Sequence, residues 1–216
     1  MAGDPNWSTV DPAKVTAPGV SGPGIIDALQ HGDRDGTVWR PAESDTSIRP
    51  GWFYHPAEDT RVKSVEQLAN LYLRSVGRNS KLLLNVPPTP QGLLHDTDVQ
   101  RLVGMHDRLR GWFANSLASD ARMLNGSIRE LSLGRPSPIG FIRLTEDITR
   151  GQHVARYLVE GFDGAQWIEL SRGTTIGYAK IDRVTATAAV QRVRFAVDES
   201  AGAERPSVRM NVYPTA

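Results

Sequence analysis

Glu43 lies close in sequence to Trp39, Trp52 and Tyr54, and a carboxyl group among aromatic rings can have its pKa raised by desolvation until it serves as a proton donor. Its neighbours allow a structural reading too, in which Glu43 and Asp45 cap a loop or pair with Arg40 or Arg49. Arg49, just before Pro50, either donates hydrogen bonds to a ligand or neutralises Glu43 or Asp45. Trp52, Phe53, Tyr54 and His55 form a run of aromatic and imidazole side chains that could face a ligand or pack in a core. Asn85 closes the apolar run KLLLN, where a buried amide either braces a pocket or bonds to neighbouring backbone.

Elements must hold these groups. Val65, Leu68, Leu71, Tyr72 and Val76 recur near the helical period, with Ser64 and Gln67 spaced as a capping box and Gly77 and Asn79 as stops. Residues Lys81 to Pro88 read as a buried parallel strand ending at Asn85 or Val86, because two prolines cannot donate to a ladder. A second helix is predicted from Asp96 or Asp98, with Val99, Leu102, Val103, His106, Leu109, Trp112, Phe113 and Leu117 on one broad face. Helix, buried strand and helix make the repeat of a barrel or layered α/β domain.

After Ser119 the period changes to two, with strands expected at 139–144, 153–160, 166–170, 192–197 and 207–213 and a turn at Asp163 and Gly164. That half is predicted to be a small antiparallel β-sandwich. Met1 to Arg40, rich in Pro, Gly, Asp and Thr around a brief apolar run at Ile25, Ile26 and Leu29, is expected to be irregular and disordered.

Composition narrows the classes of function. Of 216 residues, 39% are hydrophobic, enough for a buried core, and 25 basic against 24 acidic residues leave a formal charge of +1 without a block of either sign. No phosphate-backbone footprint is visible, so nucleic acid is not an expected partner. No run approaches the roughly 18 apolar residues of a membrane span, and MAGDPNWSTV lacks the pattern of a secretory leader. Cysteine is absent, which removes disulfides and thiolate chemistry. His95, His106 and His153 lack ligand spacing, and the 171–177 segment lacks a phosphate-loop lysine, so neither metal nor cofactor is expected. Compartment and oligomeric state stay open.

The stretch from Glu43 to Pro88, ESDTSIRPGWFYHPAEDTRVKSVEQLANLYLRSVGRNSKLLLNVPP, resembles the late catalytic-domain signature of family 29 glycoside hydrolases, the α-L-fucosidases. LTEDITRGQHVARY and GTTIGYAKI are similar to motifs of the β-domain that follows the barrel in that family. The resemblance implies an α/β remnant of a (β/α)8-type barrel followed by a small antiparallel β-sandwich. Its segments would be an irregular 1–40, the end of the barrel at 41–118, a linker at 119–136 and an accessory domain at 137–216. It implies a retaining exo-glycosidase acting on fucosylated glycans, and family members are often secreted, periplasmic or lysosomal.

Carried onto this chain, the resemblance makes Glu43 a candidate acid/base or pocket carboxylate. It makes Trp39, Arg49, Trp52, Tyr54 and His55 candidates for substrate binding, with Trp52 facing the sugar and its C5 methyl group, and Asn85 a brace behind the pocket. The family's nucleophilic aspartate belongs to an earlier barrel strand and has no counterpart here, so the chain alone is expected to be inactive. The competing expectation is a non-catalytic carbohydrate-binding module in which Trp167, Tyr157 or Tyr178 stacks on a sugar face.

Overall fold

The computed structural model describes residues 1–14, 23–119, 128–202 and 206–215. From Ala118 onward the alternating pattern of the second half folds as expected into antiparallel strands. These are β5 (Ala118–Ser119), β6 (Ile128–Glu146), β7 (Val154–Phe162), β8 (Trp167–Gly173), β9 (Lys180–Arg183), β10 (Ala189–Ser200) and β11 (Val208–Pro214). They join in the order β5-β11-β6-β10-β7-β8, with β9 also on β6. Strand β6 explains the shape: its first part pairs with β10 and its last part with β11 and β9, so one long strand serves two groups of strands. Inward residues of both groups, among them Ile142, Leu144, Tyr157, Val159, Val193 and Val212, share one core. β6 begins at Ile128, inside the stretch expected to be a linker up to 136, and part of that expected linker lies outside the described residues.

Earlier strands are β1 (Thr9–Val10), β2 (Val38–Trp39), β3 (Ala42–Ser47) and β4 (Ser80–Asn85), and the helices are α1 (Pro23–His31), α2 (Val65–Ser75) and α3 (Asp96–Phe113). β3 and β4 run parallel, with Ala42 opposite Ser80 and Ser47 opposite Asn85. α2 starts where its capping box puts it: Ser64 Oγ accepts from the Gln67 N–H and Gln67 Oε1 accepts from the Ser64 N–H. α3 starts at Asp96, with the His95 ring accepting from the Thr97 N–H, and it ends at Phe113, short of Leu117.

One face of the β3–β4 pair is covered by these helices through Ile48, Val62, Leu68, Leu71, Leu84, Val86, Leu102 and Met105. Alternation along a strand sends Glu43, Asp45, Lys81 and Leu83 to the opposite face, where all four are exposed. The leucines of β4 therefore are not all core: Leu83 is 45% exposed. A second apolar cluster, Ala69, Trp112, Phe141, Ile181 and Tyr213, joins α2 and α3 to the strands of the second half.

The expected disorder over Met1 to Arg40 is corrected by the first ten residues, of which Ala2, Asn6, Trp7, Ser8 and Val10 are buried. Asn6 receives a bond from the Asn79 side chain, and its own amide donates to the carbonyls of Arg78 and Asn79, while its N–H reaches Thr175 Oγ1. These partners lie far away in sequence, which is why composition alone reads the segment as loop. Residues 15–22 lie outside the described residues.

Glu146 is a buried carboxylate that accepts three backbone N–H bonds, from His153 at 2.5 Å and Val154 at 2.9 Å on Oε1 and from Gly177 at 3.0 Å on Oε2. Desolvation pushes its pKa up, and the three N–H bonds oppose that rise without cancelling it. A raised carboxyl pKa in the folded state means that folding takes up a proton as pH falls through the folded value toward the usual one, so this group adds stability on acidification and removes it above the folded pKa. In Glu146→Gln the amide group would face the Gly177 N–H, donor against donor, at a cost of about 1–3 kcal/mol. Its deficit relative to the parent chain should widen as pH falls from 7 to 5, read from urea midpoints at both pH values. A deficit that narrows on acidification would contradict the assignment.

Candidate functional site

Parallel strands deliver their following loops to the same end, and here the loops after β3 and β4 carry Trp52, Phe53, Leu93 and Leu94, all exposed. Asn85, the last residue of β4, donates to Ser47 Oγ at 3.0 Å and to the Trp52 carbonyl at 2.9 Å. Ser47 Oγ in turn donates to the Gly51 carbonyl at 2.7 Å and accepts from the Arg49 N–H. The loop bearing Trp52 is thus tied to both strand ends while its ring stays half exposed, at 50%, a held aromatic platform. Asn85 both braces the loop and bonds to backbone.

Arg49 is turned inward, with 1% of its surface exposed. Nε donates to Asp98 Oδ2 at 2.9 Å, Nη1 donates to Asp59 Oδ1 at 2.8 Å, and the guanidinium lies 4.8 Å from the Tyr54 ring centroid. Tyr54 OH reaches Asp59 Oδ2 at 3.4 Å, and His95 Nε2 lies 3.4 Å from the same oxygen. Neither Glu43 nor Asp45 is among Arg49's partners; a carboxylate ten residues on and another in the first turn of α3 take that role. Arg49, Tyr54, Asp59, His95 and Asp98 form one polar cluster beneath the exposed aromatics. His55 is exposed at the cap of a 3-10 turn, Pro56–Arg61.

Glu43 and Trp39 sit at the other end of the strands. Glu43 is the second residue of β3, about 13 Å along the strand from Ser47, with its side chain 48% exposed and 3.5 Å from Lys81 Nζ. Trp39, 46% exposed, lines a cleft of about 500 Å³ with Pro41, Lys81, Ile148 and Tyr178. The structure therefore groups Arg49, Trp52, Tyr54, His55 and Asn85 at one end and Trp39 and Glu43 at the other. Asp45 shares the bare face with Glu43, two residues along the same strand; period-two alternation was the signal for it. Asp59 and Asp98, which sequence reasoning did not nominate, stand at helical starts, where acidic residues ordinarily sit.

Of the aromatics proposed to stack on sugars in the second half, Tyr157 is buried and donates to Asp182 at 2.6 Å, which rules out a stacking role for it. Trp167 packs on Phe162 beneath the guanidiniums of Arg192 and Arg194. Tyr178 is exposed. Among the described residues no three His, Asp or Glu side chains gather as a metal site requires, and no helix is long and apolar enough to cross a membrane.

The sequence profile of the α-L-fucosidases matches residues 18–111, the span that holds β3, β4 and the polar cluster between them. Over that span the chain is similar to the α-L-fucosidases. Alpha-L-fucosidase 1 of Arabidopsis thaliana is 29% identical over 205 residues, 79% of this chain and 40% of that protein. A crystal structure of a glycoside hydrolase 29 family member from an unknown rumen bacterium superposes with a TM-score of 0.86 at 32% identity, covering 100% of this chain and 39% of the other. SpGH29 superposes with a TM-score of 0.84 at 32% identity, over 100% of this chain and 52% of that one. The chain spans about 40% of the length of the curated fucosidases that it matches. Its mostly antiparallel second half matches the C-terminal domain of the family's solved structures.

Proposed function

We propose that this chain supplies the C-terminal part of an α-L-fucosidase, a retaining glycosidase that removes α-linked L-fucose from glycans, and that it is catalytically incomplete by itself. The observation that carries the reading is the bare face of β3 and β4: helices cover one side of two parallel strands, while Glu43, Asp45, Lys81 and Leu83 stand uncovered on the other. An enzyme barrel of this kind closes with about eight strand and helix units around its interior. Residues 41–118 would be its last units and 137–216 its accessory domain.

Retention demands two carboxyl groups roughly 5–5.5 Å apart, one to attack the anomeric carbon and one to protonate the leaving oxygen. Glu43 supplies at most one of them. The attacking carboxylate would belong to the part of the relatives that this chain does not cover. Trp52, held by Asn85 and Ser47, suits an apolar wall for the C5 methyl group of fucose, a preference over a hydroxymethyl group of about 1–3 kcal/mol. Arg49 would act behind that wall, since its guanidinium is committed to Asp59 and Asp98.

Incubating the purified chain with a chromogenic α-L-fucoside is expected to give no release above buffer. Turnover in the common enzymatic range, on the order of 1–1,000 per second, would refute the claim of incompleteness.

A further inference from the structure

A polar cleft of about 370 Å³ opens where α2 meets β8, β9 and the N-terminal tail. It lies on a different face of α2 from Leu68 and Leu71, which cover β3 and β4. Five basic side chains line it, Arg74, Arg78, Arg172, Lys180 and Arg183, against two carboxylates, Asp4 and Asp182.

The counter-ions do not balance. Lys180 Nζ is spent on Asp4 at 2.5 Å, and Arg172 is paired with Glu169. Asp182 accepts from Tyr157 OH at 2.6 Å and Ser171 OH at 2.5 Å. Arg78 gives one bond of 3.4 Å to the Ala2 carbonyl, and Arg183 lies over the Phe141 ring at 5.8 Å. Among the described residues neither these two nor Arg74 has a carboxylate partner. Guanidiniums sharing a cleft without counter-charge repel one another, and an anion placed among them gains charge-assisted hydrogen bonds.

The remaining lining narrows the anion's carrier. Asn70 offers an amide suited to hydroxyl groups, while Leu73 offers an apolar surface to the C–H face of a ring. We propose that this cleft binds a pyranose bearing an anionic substituent, a carboxylate or a sulfate. The site rests on the fold alone and needs no catalysis by the chain.

Isothermal titration of the full chain at low salt would test it with four probes: glucuronate, galactose 6-sulfate, uncharged galactose and sodium sulfate. Saturable binding is expected for one or both charged sugars, with galactose and sulfate each weaker by about tenfold or more. Tighter binding of glucuronate would identify the carboxylate, and tighter binding of galactose 6-sulfate the sulfate. Added salt should weaken the interaction. The double substitution Arg74→Gln with Arg183→Gln should lower affinity by about tenfold or more, whereas Arg110→Gln on α3 should leave it unchanged. Arg74 and Arg183 are exposed, so the urea midpoint of the double variant should match the parent's. Binding that survives the double substitution, an absence of saturable binding, or sulfate bound as tightly as the sugars would overturn the proposal.

Discussion

Replacing Asp98 by alanine is expected to cost about 3–5 kcal/mol of folding stability, because it leaves the buried Arg49 guanidinium short of a partner in a place water does not reach. Arg49 and Asp98 side chains are both 0% exposed, and their 2.9 Å contact ties the second residue after β3 to the first turn of α3. Asp59 remains to hold Nη1, but it is 29% exposed and cannot reproduce a contact at Nε. Arg49→Ala should cost as much from the other side, since Asp98 then keeps a buried charge with no cation. Arg49→Lys should rescue only in part, since an ammonium cannot bridge two carboxylates in a planar fork. Urea unfolding followed by tryptophan fluorescence measures all three. A loss below about 1 kcal/mol for Asp98→Ala, the range of solvent-exposed pairs, would show that the pair is wetter than its geometry indicates.

That pair also shows where sequence reading stops. Local signals were legible: the Ser64 and Gln67 spacing placed the start of α2, Pro87 and Pro88 closed β4 at Asn85, and period-two alternation announced the antiparallel half. Partnership across the fold was not. Glu43 and Asp45 are the near neighbours of Arg49 in sequence, yet strand alternation turns them to the uncovered face while Arg49 lies past the strand end, under α3. Trp39 and Trp52 read as one aromatic group until the length of β3 is set between them. In the N-terminal tail, polar and turn-forming residues look like loop because their partners, Asn79, Gln152 and Thr175, come from distant segments.

The tail's dependence on distant partners gives the second large expected effect, at Asn79. Its backbone is left-handed, with φ of 55°, a conformation that asparagine tolerates better than most residues. Its amide donates to the Asn6 carbonyl, Ser8 Oγ and Gln152 Oε1, and its Oδ1 accepts from the Tyr178 N–H at 2.8 Å. One buried side chain therefore joins the tail, the turn before β4 and the loop before β9. Asn79→Ala should lose these bonds, leave buried groups unpaired at about 1–3 kcal/mol each, and add the strain of an alanine at positive φ. A total of about 3–5 kcal/mol is expected, read from urea unfolding. Asn79→Gly separates the two causes, since glycine accepts the left-handed backbone but makes no side-chain bond. If the clip is the larger cause, glycine recovers only about 1 kcal/mol of the alanine deficit, and protease digestion of both variants opens first in the tail. Full recovery by glycine would instead assign the whole effect to backbone strain, and the buried Asn6, Trp7 and Ser8 would then owe their places to packing rather than to Asn79.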